Sequence, residues 1–218
     1  MTKGRATPAS DSTAPRKRLS PEARRGQIVT AATELFAEKG FDASTRDLAK
    51  LAGITQPLLY RYFPDKDGLI EAVYARVFLD RWNPEWDATL EDRGQPVRAR
   101  FAAFYDAYTD SIFDPVWLRI SSFAALREAR INRWYNHVVE ELILKRLVRE
   151  TRVERGGEDR IRVTRAELEP AWLLHGGLLN YGMRRHILGL PVLDDKPRVI
   201  RGAIDQFLAG FGAEGGGS

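Results

Sequence analysis

The chain has 218 residues, 44% of them hydrophobic, enough to bury the core of one large domain or two small ones. It contains no Cys, which excludes disulfides, thiolate zinc sites and a cysteine nucleophile and fits a reducing compartment; it also lacks any run of about 18 apolar residues, so a cytoplasmic protein without a membrane span is expected. The formal charge of +4 points to a polyanionic partner, yet it collects in the N-terminal arm, where Lys3, Arg5, Arg16, Lys17 and Arg18 stand against Asp11 alone.

Residues 1–19 are rich in Thr, Ser, Ala, Pro and basic side chains and read as a disordered basic arm, either a solvated tail or a segment that reaches an adjacent DNA groove. Ser20 and Pro21 open a first helix that runs to about Lys39 and stops at Gly40, with Ile28, Ala31, Ala32, Leu35 and Phe36 on one face. Ser44 and Asp47 have the spacing of a capping box for a short second helix carrying Leu48, Ala49 and Ala52, which ends at Gly53. Thr55 caps a third helix with Pro57 in its first turn and Leu58, Leu59 and Phe63 as buried candidates, and at least one of the two leucines must belong to the core. This is a helix-turn-helix over Ser44 to Phe63, whose second helix presents its N-terminal side chains to a DNA groove.

The pattern beyond it is helical throughout, so the fold expected is all-α. Asp65 caps a fourth helix over about Lys66 to Arg81, striped by Leu69, Ile70, Val73, Tyr74, Val77 and Phe78; Asn83-Pro84 is read as its end and Glu91 to Gln95 as a turn. A fifth helix begins near Pro96 and a short sixth at Asp114-Pro115; a long seventh spans about Arg127 to Arg152 and closes at Gly156-Gly157. An eighth, about Ala166 to Leu188, opens on a Thr164/Glu167 capping box, with Pro170 expected to kink or delay it. Its Gly176, Gly177 and Gly182 suggest close approach by another helix or a ligand. The ninth, about Lys196 to Phe211, carries Val199, Ile200, Ala203, Ile204, Phe207 and Leu208 as an amphipathic face, before a Gly-rich tail over 213–218.

The stretch from Gln27 to Ala72 resembles the TetR family of transcriptional regulators: IVTAATELFAEKGF, then STRDLAKLAGITQPLLYRYF, then PDKDGLIEA keep its apolar positions, turn glycine, Leu-Tyr pair and Asp-Lys. The resemblance implies a three-helix DNA-binding domain over 20–65 and a larger helical effector-binding and dimerisation domain over 66–212. It implies a homodimer through the last two helices, and a double-stranded operator and a small-molecule effector as partners. Thr45 and Arg46 would then approach the phosphates or groove edge, Gln56, Pro57 and Tyr60 the major groove, and Arg61, Tyr62 and Lys66 the backbone. A Gln amide pairs bidentately with adenine and Pro57 offers an apolar surface to a thymine methyl. Each has a plainer role open to it: Tyr60 and Tyr62 as ordinary amphipathic residues, Tyr62 buried on the first helix, Arg61 and Lys66 as a solvated face.

The aromatic residues Trp82, Trp86, Phe104, Tyr108, Trp117, Phe123, Trp134, Trp172 and Tyr181 are candidates to line a cavity for a hydrophobic or aromatic ligand, with His137, His175 and Asn180 as polar groups; any of them serves equally as core, His175 above all. His175-Gly176-Gly177 suggests an oxyanion-hole loop, but no strand and no G-x-S-x-G elbow accompanies it. No metal-spaced His cluster or phosphate-cradling Gly loop appears, so no catalysis, cofactor or metal is expected. The alternative to a ligand-responsive repressor is a helical DNA-binding regulator without an effector.

Overall fold

A computed structural model describes residues 19–126 and 130–211. The basic arm short of Leu19, the first residues expected of the seventh helix and the Gly-rich tail lie outside the described residues, as does the side chain of Trp134. Regular structure among the described residues is entirely helical: α1 (Pro21–Lys39), α2 (Thr45–Leu51), α3 (Gln56–Tyr62), α4 (Lys66–Tyr74), α5 (Pro84–Glu91), α6 (Val97–Ile112), α7 (Pro115–Leu126), α8 (Arg130–Val139), α9 (Lys145–Glu154), α10 (Arg165–His186) and α11 (Lys196–Gly210). A π turn over Ala75–Leu79 prolongs α4, and a second over Glu140–Leu144 joins α8 to α9 without a break.

The starts follow their capping chemistry. Ser20, Ser44, Thr55 and Asp65 each accept the backbone N–H three residues on, at 3.1, 3.0, 3.3 and 2.7 Å. At Thr164 the reciprocal box is complete, Glu167 accepting from the Thr164 N–H at 2.8 Å. That box supplies the first turn of α10, so of the two effects expected of Pro170 the delayed start does not occur, and the proline sits inside the helix. Gly40 and Gly53 take φ of +74° and +62°, the left-handed backbone that ends α1 and turns α2 into α3.

Asn83-Pro84 follows the end of the prolonged fourth helix, as expected, but also starts a helix that the sequence reading did not contain. The pair opens α5 instead of only closing the preceding helix: Asn83 Oδ1 accepts from the Glu85 N–H at 3.0 Å, and Trp86 and Leu90, one helical turn apart, are buried. Asn before Pro is a start signal as much as a stop, and only packing beneath Trp86 decides between them.

α1 is the hub of the N-terminal unit, packing on α2, α4 and α7 through Ile28, Ala32, Leu35 and Phe36. In the larger part α6 lies between α5 and α11, and α10 between α9 and α11. Phe101, Phe104, Tyr105, Trp117 and Leu118 are almost wholly removed from water, worth roughly 1.5–3 kcal/mol for each large apolar side chain. One ion pair is buried there: Arg100 on α6 donates to Glu150 on α9 at 2.6 Å and to the carbonyls of Leu90 and Gln95, tying α5, α6 and α9 together. Burial pushes the Glu150 carboxyl up, but Arg93 and Arg100 hold it below the ordinary carboxylate range.

Candidate nucleic-acid interface and internal cavity

α2 and α3 meet through polar side chains on their solvent side and apolar ones beneath. Leu48 and Leu59 are buried, whereas Arg46, Pro57, Tyr60 and Arg61 are exposed. Leu59 is thus the core leucine of the Leu58-Leu59 pair; Leu58 is half-buried, and Tyr62 packs half-buried against the core. Gln27 on α1 donates to the Ala52 carbonyl at 3.0 Å and clips the turn, and Arg25 lies over the Phe63 ring at 4.8 Å. The sequence reading missed both; their signal is a polar side chain beside the apolar stripe of α1.

The Thr45 hydroxyl is the junction of the exposed face. Its Oγ1 accepts from Gln56 Nε2 at 3.0 Å and lies 3.2 Å from the Tyr60 hydroxyl. Three side chains predicted to touch DNA are therefore already linked without it. The Gln56 amide keeps its second N–H and its Oε1 for another partner, the two groups that an adenine edge requires. Lys66 is half-buried at the start of α4.

An internal cavity lies where the prolonged α4 meets α5, α6, α7 and α8. Phe78, Trp82, Trp86, Tyr108 and Trp117 form its aromatic wall, with Ile143 opposite; its free volume is about 30 Å³, room for about one water. Arg81 is the charged side chain on its lining, donating to the Ser111 carbonyl at 2.7 Å and to Asp114 at 2.9 Å. Burial raises the Asp114 carboxyl; Arg81 and the N–H groups of Trp117 and Val116 bring it below the ordinary range. Asp114 Oδ1 takes those N–H groups at 3.1 and 2.6 Å and so caps α7.

Of the residues predicted for a ligand site, Tyr108 and Trp117 line this cavity, with Trp82 and Trp86. Phe104 stands one layer behind, its ring 5.4 Å from that of Tyr108. Phe123 is elsewhere, against Gly40 at the end of α1. Trp172 and His175 pack beside Tyr105, whose hydroxyl is 3.5 Å from His175 Nδ1; burial lowers the imidazole to about 4, and it is a core histidine. His137 is solvent-exposed beside Glu141 and Asn180 is exposed on α10. Tyr181 borders a separate open depression with Phe113, Arg185 and Lys196, its hydroxyl donating to the Leu193 carbonyl at 2.9 Å. Phe78, Arg81 and Ser111 were absent from the sequence prediction.

Residues 28–73 match the family described as bacterial regulatory proteins, tetR family. The HTH-type transcriptional activator FasR of Mycolicibacterium smegmatis is 37% identical over 92 residues, 41% of this chain and 42% of that protein. The HTH-type transcriptional regulator HbdR of Aromatoleum sp. (strain CIB) is 35% identical over 112 residues, 50% and 48% of the two chains. A TetR family transcriptional regulator from Pseudomonas syringae pv. tomato superposes with a TM-score of 0.63 at 18% identity, over 87% of this chain and 97% of that one. Over residues 28–73 the chain is a tetR-family regulatory domain.

The chain matches about half the length of those curated relatives. A second solved structure, a TetR-like transcriptional regulator from Rhodococcus sp. RHA1, has a TM-score of 0.58 at 21% identity over 88% of this chain and the whole of that one. TetR-family likeness in sequence therefore concentrates on α1 to α4, and the likeness in fold extends through α11. The relatives named above are all described as transcriptional regulators. No helix among the described residues is long and apolar enough to cross a membrane.

Proposed function

We propose that this chain is a TetR-family DNA-binding transcriptional regulator in the cytoplasm, a repressor released from a pseudo-palindromic operator when a small apolar or aromatic effector enters its larger domain. The observation that carries the DNA reading is the Thr45–Gln56–Tyr60 network on the exposed side of α2 and α3, which aims an amide while leaving it one donor and one acceptor. The division at about residue 65, a DNA-binding unit followed by an effector and dimerisation unit, belongs to the same proposal. So does a homodimer through α10 and α11, where Leu173, Gly176, Gly177 and Gly202 are exposed and a Cβ added at any of the three glycines would meet no atom within 4 Å.

An aromatic chain supports the link between effector and DNA. Phe36, Phe41, Tyr74, Phe78 and Trp117 follow one another at 5.3, 5.7, 5.2 and 5.2 Å, from the core of the DNA-binding unit to the cavity wall. An effector that displaces Phe78 or Trp117 acts on α4 and α1, and shifts the equilibrium by its difference in affinity for the two states.

Selection of bound sequences from random DNA tests the first part; recovery of no inverted repeat would sink it. The cavity's volume of about 30 Å³ favours a second reading, the same regulator without an effector. A thermal-shift screen with small apolar compounds separates the two, because a ligand selective for the folded state raises Tm.

A further inference from the structure

The cavity has a feature that its aromatic wall does not explain: a guanidinium. Phe78, Trp82, Trp86 and Trp117 supply apolar surface, and the Trp82 indole N–H is engaged by Asp87 at 3.2 Å. Among the described residues of this lining, Arg81 alone brings formal charge. Its present carboxylate partner, Asp114, comes from the same chain, and the pair is partly open to solvent, with side-chain exposures of 31% and 37%. Exposed pairs of this kind contribute little net stability, so one carboxylate replaces another at little cost. Asp114 would not be stranded by such an exchange, because Oδ1 still holds the Val116 and Trp117 N–H groups.

We propose that the cavity takes a small apolar carboxylic acid, whose carboxylate replaces that of Asp114 on Arg81 while its body parts the aromatic wall. This rests on the effector reading above and names the chemical class of the effector. A guanidinium holds a carboxylate by paired N–H donors, and the hydrocarbon or aromatic body supplies the affinity by leaving water. The space needed is not preformed, and the walls that must yield are the two π turns, which contribute Phe78 and Leu79 from one side and Ile143 from the other. π turns interrupt the α-helical ladder and recur at functional sites. Arg81 follows one of them and Asp114 starts α7, which packs on α1, so exchange at this pair loosens a tie between the sensor and the DNA-binding unit.

The test is calorimetric titration of the full chain with 1-naphthoate and octanoate, each beside its primary amide, which keeps the body and removes the charge. At least one acid should bind at least tenfold more tightly than its amide. Arg81→Gln should abolish that preference, and Asp114→Asn, which retains the cap acceptor but removes the competing charge, should tighten the acid several-fold. Asp114→Asn and the acid-to-amide ratio of the unaltered protein decide the matter even if Arg81→Gln does not fold. Equal binding of acid and amide, or a preference that survives Arg81→Gln, overturns the carboxylate assignment and leaves the effector reading standing. Failure of every probe overturns this proposal too; the effector reading falls only if the broader thermal-shift screen is also empty.

Discussion

At the scale of single residues, Thr45 and His175 carry the clearest consequences. If Thr45 orients Gln56, then Thr45→Val, which keeps the shape and removes the hydrogen bonds, should reduce discrimination for the selected operator in the same direction as Gln56→Ala. The expected loss is about 1–3 kcal/mol for Gln56→Ala and less for Thr45→Val, with binding to random DNA nearly unchanged in a fluorescence anisotropy titration. Lys66→Ala should instead weaken both DNAs alike and flatten the salt dependence. His175 gives a pH prediction of definite sign. Burial lowers its pKa from 6.5 to about 4, so the folded state favours the neutral ring. Its contribution is fully present above pH 6.5, is lost as pH falls from there, and levels off below about 4. The loss is roughly 3 kcal/mol at most. Urea midpoints of His175→Gln should therefore fall less steeply over that window than those of the unaltered protein; parallel curves would refute the assignment.

Elements show where local signals have one meaning and where they have two. Ser44, Thr55 and Asp65 are caps in sequence and in structure because a cap bonds only three residues along its own chain. Asn83-Pro84 carries two meanings, and α5 exists because Trp86 and Leu90 find buried positions against α6. The glycines of α10 divide in the same way. A methyl on Gly182 would meet the Phe113 ring at 2.5 Å, whereas Gly176 and Gly177 meet nothing within 4 Å. Gly182→Ala should then lower stability by about 1–3 kcal/mol through overpacking. Gly177→Ala should leave the isolated subunit as stable or more so by about 0.5–1 kcal/mol. Chemical denaturation of the two variants side by side checks the contrast.

For the whole molecule, the issue is how one recognition helix becomes two at a fixed separation. The proposed isologous dimer through α10 and α11 would place two copies of α3 one DNA turn, or a multiple of it, apart on one DNA face. Gly176→Leu adds bulk on the exposed side of α10, where the subunit itself has no atom within 4 Å of the new Cβ. The expected outcome is a shift from dimer to monomer in sedimentation velocity, weaker operator binding and an unchanged helical CD spectrum. A Gly176→Leu protein that remains dimeric would remove that face from the interface.

The sequence alone determined the all-α class, the helix-turn-helix with its caps and turn glycines, and the TetR resemblance. These follow from short-range chemistry: periodicity, side-chain caps and left-handed backbone at Gly40 and Gly53 act within a few residues. Tertiary structure alone decided which aromatic residues share a cavity, since Tyr108 and Trp117 have the same helical spacing in sequence as Phe123 and Trp172 but only the former meet there. It also decided that Arg81 faces that cavity and that Thr45 joins Gln56 to Tyr60, because such contacts arise from the angle between packed helices and not from any spacing along one of them.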